Sequence, residues 1–330
     1  MTSELLGVFA KLRGQLPQVG EGSRFHGVRL SGGNHRLGIS PQGEPALLVH
    51  AVASPGARRP PPMELEHLWV EYHTVCKLVT DGAEVTETLT VVLLRNGDPS
   101  LRDHFLRIVG TLLDVLGAEP GLEQVEEGIT AFTELFRALS QPSRKSVQGL
   151  WGELFVAARA TDSPTMIENW HVTPEDRYDF NAGHVRIEVK TVGGRFRKHR
   201  FSLEQLQPPR GTCLLIASLY TEQAGGGLSL QELMDELWVT LDGRPDLRLR
   251  VGQVVARTMG RELPAALEAR FDAELASESL RFYLHKVIPT IENVPAEVTN
   301  VEFTADLTYV PVLTELVGYG SLAAAARPVG

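Results

Sequence analysis

Glu188 and Lys190 have types and spacing that could do chemistry, because they alternate with apolar residues in a strand-like stretch. Alternate side chains of a β-strand point to the same face, so this carboxylate and this ammonium should emerge side by side. A hairpin turning at residues 181–183 would bring Asp179 next to them. Two carboxylates and an ammonium in one cleft can hold a divalent cation beside a polarised water, as phosphodiester hydrolysis requires.

The same pair has an ordinary explanation, since half-solvated sheets often alternate charged and apolar residues, and exposed ion pairs contribute little. Two neighbouring features favour the catalytic interpretation. Ser146 is a candidate cap for a predicted helix that carries Glu153, which is either a solvated residue or an acid reaching the same cleft. Asp179 lies between two aromatic residues of a predicted strand, whereas the competing Asp176 belongs to a predicted turn.

A short basic segment follows at residues 193–200, in a chain whose formal net charge is −9. Its four cations are candidate contacts to the phosphate backbone of a nucleic acid: Arg195, Arg197, Lys198 and Arg200. A solvated turn explains the same composition equally well. Beyond this segment, Ser202 is expected to begin a helix, and residues 214–220 are expected to form a buried strand.

This order of helix acid, strand aspartate, E-x-K strand, helix and buried strand resembles the core of the PD-(D/E)XK nuclease superfamily. More narrowly, the segments G-E-L-F, Y-D-F, I-E-V-K-T and S-L-E-Q-L are similar to those of an uncharacterised bacterial PD-(D/E)XK family associated with restriction and phage defence. The resemblance covers about residues 146–220. It implies an α/β (α+β) fold with a restriction-endonuclease-like core, in which helices flank a central mixed sheet. That core comprises a helix, a three-stranded antiparallel meander, a second helix and a further strand.

The resemblance also implies roles for individual residues. It assigns four ligands to a divalent metal, Mg²⁺ or Mn²⁺: Asp179, Glu188, the carbonyl of Val189 and Glu153. Lys190 would orient or activate the attacking water and offset charge on the phosphate, while Gln205 would assist from the second helix. The literal Pro-Asp step of the superfamily motif is absent, because Tyr178 precedes Asp179.

The function that the resemblance implies is metal-dependent hydrolysis of DNA, by a nuclease or by the nuclease subunit of a restriction or phage-defence system. The alternative is a catalytically inactive DNA-binding or assembly subunit that keeps the nuclease scaffold. The acidic net charge argues against a protein that coats DNA unaided. The resemblance implies partner proteins, such as an ATPase or a methyltransferase-associated complex, and the acidic charge is consistent with partners that supply DNA affinity.

The 330 residues exceed one typical domain, and 43% of them are hydrophobic, enough for a sizeable core. We expect a β-rich N-terminal module closed by helices at residues 1–140. Residues 141–330 are expected to form the PD-(D/E)XK domain, with C-terminal helices and strands. The sequence contains no run of about 18 apolar residues, so no membrane span is predicted. The N-terminus lacks the pattern of a secretory signal, so a cytoplasmic location is expected.

Hydrophobic periodicity predicts further elements on either side of the motif segment. Before it, strands are predicted at residues 36–39, 45–49, 68–72 and 87–94, and helices at residues 101–116 and 129–139. After it, a loop is predicted at residues 225–227, helices at 228–238 and 264–275, and strands at 280–284 and 298–303.

Overall fold

The computed structural model describes residues 2–14, 24–31, 33–52, 59–80, 83–171, 176–194 and 196–329. The chain divides into two compact units. Unit 1 comprises Met1–Pro142 with Gly260–Pro264, and unit 2 comprises Ser143–Met259 with Ala265–Gly330.

Unit 1 is built on a closed barrel of five strands. The strands of unit 1 are β1 (Arg24–Arg29), β2 (Arg36–Ile39), β3 (Pro45–Val49), β4 (Met63–Glu64), β5 (Leu68–Thr80) and β6 (Ala83–Leu94), and all except β4 belong to the barrel. Neighbours pair in the order β1-β2-β3-β6-β5, and a parallel pairing of β1 with the end of β5 closes the ring, while β4 pairs with the start of β5. Both faces of β2 and β3 are buried, which explains the unbroken apolar run of β3 and the apolar residues that follow Arg36 in β2. The strands predicted at residues 36–39 and 45–49 are confirmed.

Three helices accompany the barrel strands in unit 1: α1 (Thr2–Gly14), α2 (Pro99–Leu116) and α3 (Leu122–Ala138). Helix α2 begins where the Asp98 carboxylate accepts from Leu101 N–H at 2.8 Å, with a proline in the first turn. Its buried Phe105 meets the Phe132 ring of α3 edge-on at 5.7 Å between centroids. These contacts confirm the two amphipathic helices that the periodicity predicts here.

The remaining chain is a mixture of helices and strands. The helices are α4 (Val147–Ala158), α5 (Ser163–Glu168), α6 (Leu230–Thr240), α7 (Pro245–Met259), α8 (Leu263–Glu268), α9 (Ala273–Ser279) and α10 (Ser321–Ala325). The strands are β7 (Phe180–Ala182), β8 (Val185–Val192), β9 (Lys198–Ser202), β10 (Cys213–Tyr220), β11 (Gln223–Ser229), β12 (Arg270–Phe271), β13 (Arg281–Leu284) and β14 (Glu302–Asp306). The protein is therefore of mixed α/β class, as expected.

A four-stranded mixed sheet organises unit 2, in the order β13-β10-β8-β7. Strand β8 is antiparallel to β7 and parallel to β10, and β10 is antiparallel to β13. Strand β10 is fully buried along its middle, as the apolar run at residues 214–220 predicts. Strand β9 pairs with β14, and β11 pairs with β12, in separate two-stranded sheets.

The helix predicted from Ser202 is wrong. Ser202 Oγ does accept from Gln205 N–H at 3.1 Å, as a helix cap would, but only a tight turn follows. The cause is the Pro208-Pro209 pair, because a helix usually ends before proline and proline cannot donate to its ladder. Gln205 therefore lies in a turn after β9.

Three other local predictions after the motif segment are also wrong. The glycines at residues 225–227 belong to β11, where a Cβ on Gly227 would overlap the carbonyl of Phe271 across the sheet. The helix predicted at residues 264–275 is interrupted by β12, which pairs with β11. The strand predicted at residues 298–303 lies further along the chain as β14. Tertiary pairing overrides the local pattern in each case.

Within the described ranges, no helix has both the length and the apolar composition needed to cross a membrane.

Candidate functional site

Unit 2 contains a cavity of about 440 Å³ at the predicted site. It is lined by all five predicted catalytic side chains: Glu153, Asp179, Glu188, Lys190 and Gln205. They come from α4, the β7–β8 hairpin and the turn after β9, which are separate in the chain. The carboxylates of Glu153, Asp179 and Glu188 form what we call the carboxylate cluster.

The β7–β8 hairpin places Asp179 in the cavity. The hairpin pairs Phe180 with Ile187, so Asp179 extends beside the E-x-K part of β8. The Asp179 side chain is buried, and its Oδ2 accepts from Val189 N–H at 2.7 Å. Its backbone carbonyl also accepts from His171 N–H at 2.8 Å. These bonds fix the direction of the carboxylate.

Glu188 and Lys190 emerge on one face of β8, as strand geometry predicts. Lys190 Nζ lies 2.8 Å from Glu188 Oε1, and the same oxygen accepts from Gln205 Nε2 at 3.0 Å. Gln205 is held in turn by Ser202 N–H, which donates to its Oε1 at 3.2 Å. Gln205 thus reaches the cluster from a turn, and Ser202 orients its amide.

Helix α4 carries Glu153 into the same cavity because it packs closely on β8. A Cβ on Gly152 would overlap the Cγ2 methyl of Thr191, so only glycine allows this approach. Glu153 is buried, and its Oε2 accepts from Trp170 Nε1 at 2.9 Å and from His171 Nε2 at 2.9 Å. Glu153 is therefore an internal acid of the site, and not a solvated helix residue.

Among the described residues, three that contact the cluster were missed by sequence reasoning: Trp170, whose contact to Glu153 is given above, Lys145 and His171. Lys145 Nζ donates to Glu153 Oε1 at 2.8 Å and to Asp179 Oδ1 at 2.8 Å. The available signal was a lysine directly before the cap of the helix that carries the acid. The buried ring of His171 contacts Glu153, and its sequence context gave no metal-type spacing.

The sequence model of a family described as "Putative PD-(D/E)XK family member, (DUF4420)" matches residues 11–308. The chain belongs to this PD-(D/E)XK family. The match confirms the family resemblance of the motif segments and extends it over residues of both units. No curated protein and no solved structure gives a significant match.

The carboxylate cluster is short of positive charge among its direct contacts. Three carboxylates of Glu153, Asp179 and Glu188 meet two ammonium groups, of Lys145 and Lys190. Burial of an uncompensated carboxylate is costly, so the site would take up a proton or a further cation.

The pKa directions of the cluster agree with this imbalance. Burial raises the pKa of Asp179 well above its usual value, and the negative charges of Glu153 and Glu188 raise it further, although Lys145 opposes them. Burial also acts to raise the pKa of Glu153, but Lys145 and His171 outweigh it and lower that pKa to about 2. The pKa of Lys145 is raised above its usual value, because Asp179 and Glu153 outweigh its burial. The surroundings of Asp179 therefore disfavour its charged form, and a bound cation would relieve this.

The donor set fits a hard divalent cation. Carboxylate and carbonyl oxygens are the ligands that Mg²⁺ prefers. Ligand atoms of Glu153, His171 and Asp179 lie within 4.8 Å of one another. Glu188 lines the same cavity but is not part of that compact group. A metal ion could contact Asp179 together with Glu188, or together with Glu153 in place of the Lys145 ammonium.

The predicted basic contacts do not all reach the cavity, and one of them is wrong. Arg197 is buried: its guanidinium donates to Ser218 O at 2.9 Å, to Ser218 Oγ at 2.8 Å and to the Ser279 carbonyl. It also lies over the Tyr220 ring at 4.7 Å. Arg197 therefore supports the fold and is not available to a phosphate. Arg195 lies outside the described residues.

Lys198 and Arg200 alternate with buried residues on β9, and both are exposed at the cavity. Arg177, which was not among the predicted basic residues, also lines it and is exposed. The Arg177 side chain pairs with Glu204 at 3.7 Å, and the Arg200 side chain pairs with Glu302. We call Arg177, Lys198 and Arg200 the basic rim.

His199 lies behind this rim and is structural. It is buried, and its Nε2 is 2.7 Å from Ser218 Oγ. Burial lowers the pKa of His199 to about 3, and the nearby charges of Lys190 and Arg197 contribute in the same direction. The ring is therefore neutral at physiological pH.

Proposed function

We propose that this chain hydrolyses phosphodiester bonds of DNA with a divalent metal ion, as a nuclease or the nuclease subunit of a bacterial restriction or phage-defence system. The observation that carries the proposal is the convergence of Asp179, Glu188 and Lys190 with the helix acid Glu153 on one cavity. The chain's membership of a PD-(D/E)XK family supports the same chemistry. A cytoplasmic location, where DNA is found, belongs to this proposal.

A restriction-endonuclease-like core in unit 2 is part of the proposal. Its support is a helix, α4, followed by an antiparallel hairpin and by a buried strand, β10, parallel to the E-x-K strand. An antiparallel bridge between Trp170 and Phe180 supplies the start of the expected meander. The expected second helix is replaced by β9 and its turn.

The proposed mechanism assigns the metal to Asp179 and Glu188, with the Val189 carbonyl and Glu153 as further candidate ligands. A bound Mg²⁺ or Mn²⁺ would polarise the phosphate and lower the pKa of a coordinated water. Lys190 is held by Glu188, so its ammonium orients water and offsets negative charge that develops on the phosphate.

The basic rim has the charge and exposure to hold the DNA backbone. Its contacts would position the phosphate without reading base sequence. The chain has a formal net charge of −9, so a rim of three cations gives local attraction only. We therefore include partner proteins, an ATPase or a methyltransferase-associated complex, as the source of further DNA affinity.

The test compares two aspartates that line the same cavity. Asp179→Asn removes the central carboxylate and is expected to slow Mg²⁺-dependent cleavage of duplex DNA by at least about 10²-fold. Asp176→Asn is the matched control, because Asp176 is exposed and has no assigned role in the cluster. Cleavage of a labelled DNA fragment with and without Mg²⁺ measures both. Equal loss in the two variants, or no loss in either, would contradict the assignment.

A second function, a DNA-binding or assembly subunit without catalysis, has one specific observation in its favour. Both Lys145 and Lys190 already pair with carboxylates, so most of the cluster's charge is compensated within the protein. This function predicts DNA binding without cleavage, and no change in that binding on adding Mn²⁺.

A further inference from the structure

Lys145 occupies a position that a divalent ion would take between two carboxylates. Its Nζ is 2.8 Å from Glu153 Oε1 and 2.8 Å from Asp179 Oδ1. An ion shared by these two acids would need the same two oxygens. The question is whether the acids could offer their other oxygens instead.

The other oxygens are already engaged. Glu153 Oε2 accepts from both Trp170 Nε1 and His171 Nε2, each at 2.9 Å. Asp179 Oδ2 accepts from Val189 N–H at 2.7 Å. Glu153 therefore has three donors and little remaining capacity, whereas Asp179 has one donor on each oxygen and keeps lone pairs for a ligand.

The Glu188 side of Asp179 is different. Within the described residues, Glu188 has two hydrogen-bond or ion-pair partners, and both contact its Oε1. These partners are Gln205 Nε2 and Lys190 Nζ. The two sides of Asp179 thus differ. On one side Lys145 lies between Asp179 and Glu153. On the other side lies the Glu188 carboxylate, whose donors all contact one of its oxygens.

We infer that the Lys145 ammonium is a built-in second cation, which fills the position between Glu153 and Asp179 and limits the site to a single divalent ion at Asp179 and Glu188. On this inference Glu153 leaves the set of candidate metal ligands given under the proposed function and becomes a positioning residue that anchors Lys145. The inference rests on the proposed metal-dependent function. Lys145 uses two of its three N–H donors on the carboxylates, so one remains for a phosphate oxygen.

Calorimetric titration of the whole chain with Mn²⁺ alone tests this inference by stoichiometry. The wild type should bind one Mn²⁺. Lys145→Met keeps the side-chain length but frees both carboxylates, and should bind two. Lys145→Arg retains a cation able to bridge two carboxylates and should return the stoichiometry to one. Lys198→Met is the matched control: it removes a positive charge from the same cavity without touching Glu153 or Asp179, and should still bind one.

Thermal unfolding supplies a second readout. Without its lysine, Lys145→Met leaves two neighbouring buried carboxylates uncompensated, so its melting temperature should fall without Mn²⁺ and rise more than that of the wild type when Mn²⁺ is added. Two ions in the wild type would overturn the inference even if Lys145→Met failed to fold.

The remaining outcomes separate this inference from the proposed function. One Mn²⁺ in both the wild type and Lys145→Met would overturn the inference and leave the function standing. Mn²⁺ binding by Lys145→Met but not by the wild type would support Lys145 as the cation between Glu153 and Asp179. It would contradict metal-dependent hydrolysis by the wild type. No binding by either protein would overturn both.

Discussion

At the residue scale, strand alternation was enough to pair Glu188 with Lys190, because that geometry is local. Lys145 could not be found in the same way. Its contacts to Glu153 and Asp179 depend on how α4 and the β7–β8 hairpin meet, which no local spacing encodes. Arg197 shows the opposite error, since a basic segment gives no sign of which cation turns inward.

His199 gives a prediction at this scale. Its folded-state pKa of about 3 lies below the value near 6.5 of an exposed histidine, so the unfolded chain binds more protons between these limits. Its contribution to folding stability is therefore complete above about pH 6.5 and falls toward pH 3, by roughly 1 kcal/mol per pH unit.

His199→Gln removes this titration and retains a side-chain amide that can reach Ser218. Urea unfolding at pH 7 and pH 4.5 should show the wild type losing more stability than His199→Gln as the pH falls. Equal losses in the two proteins would exclude His199 as the source.

At the element scale, local periodicity predicted the elements whose burial follows their own pattern, such as β2, β3 and α2. It failed where a distant partner decided the outcome: β11 pairs with β12 through its two ends, at Gln223 and at Leu228–Ser229, and the three glycines lie in the irregularity between them. The packing of α4 on β8 is a further case, since it depends on a glycine meeting a threonine from another element. That contact sets the position of Glu153.

Gly152→Ala tests this packing. Alanine usually stabilises a helix relative to glycine by up to about 1 kcal/mol, but here its Cβ would overlap the Thr191 methyl. We expect a net loss of about 1–3 kcal/mol in the free energy of unfolding, with reduced Mg²⁺-dependent cleavage. The double variant Gly152→Ala with Thr191→Ser deletes the methyl and should recover both. A stable, fully active Gly152→Ala protein would show that the close approach is unimportant.

At the scale of the whole molecule, closure of the unit 1 barrel was not predictable from local patterns. The parallel pairing that closes it joins strands far apart along the chain, with Arg24 opposite Lys77. The acidic net charge was readable from composition, yet composition could not locate the basic rim. Arg177 comes to that rim from before β7, whereas Lys198 and Arg200 come from β9. The rim is thus a product of the fold of unit 2.

The rim predicts how DNA affinity depends on salt. Each phosphate contact contributes a slope of about −0.9 to log K against log salt concentration, so replacing Arg177, Lys198 and Arg200 by Gln should make the slope shallower by about 2 to 3. Lys286→Gln removes an exposed cation that is not a lining residue of the cavity and should leave the slope unchanged. Fluorescence anisotropy with a duplex across a salt series measures these slopes. A triple variant with the wild-type slope would exclude the rim as the DNA contact.

The central claim is that residues from separate elements form one metal-holding cavity, and anomalous diffraction from crystals soaked in Mn²⁺ tests it most directly. One anomalous peak is expected in contact with carboxylate oxygens of Asp179 and Glu188, and it should be lost in Asp179→Asn crystals. A cavity without a peak, or an ion bound only elsewhere on the protein, would contradict the account.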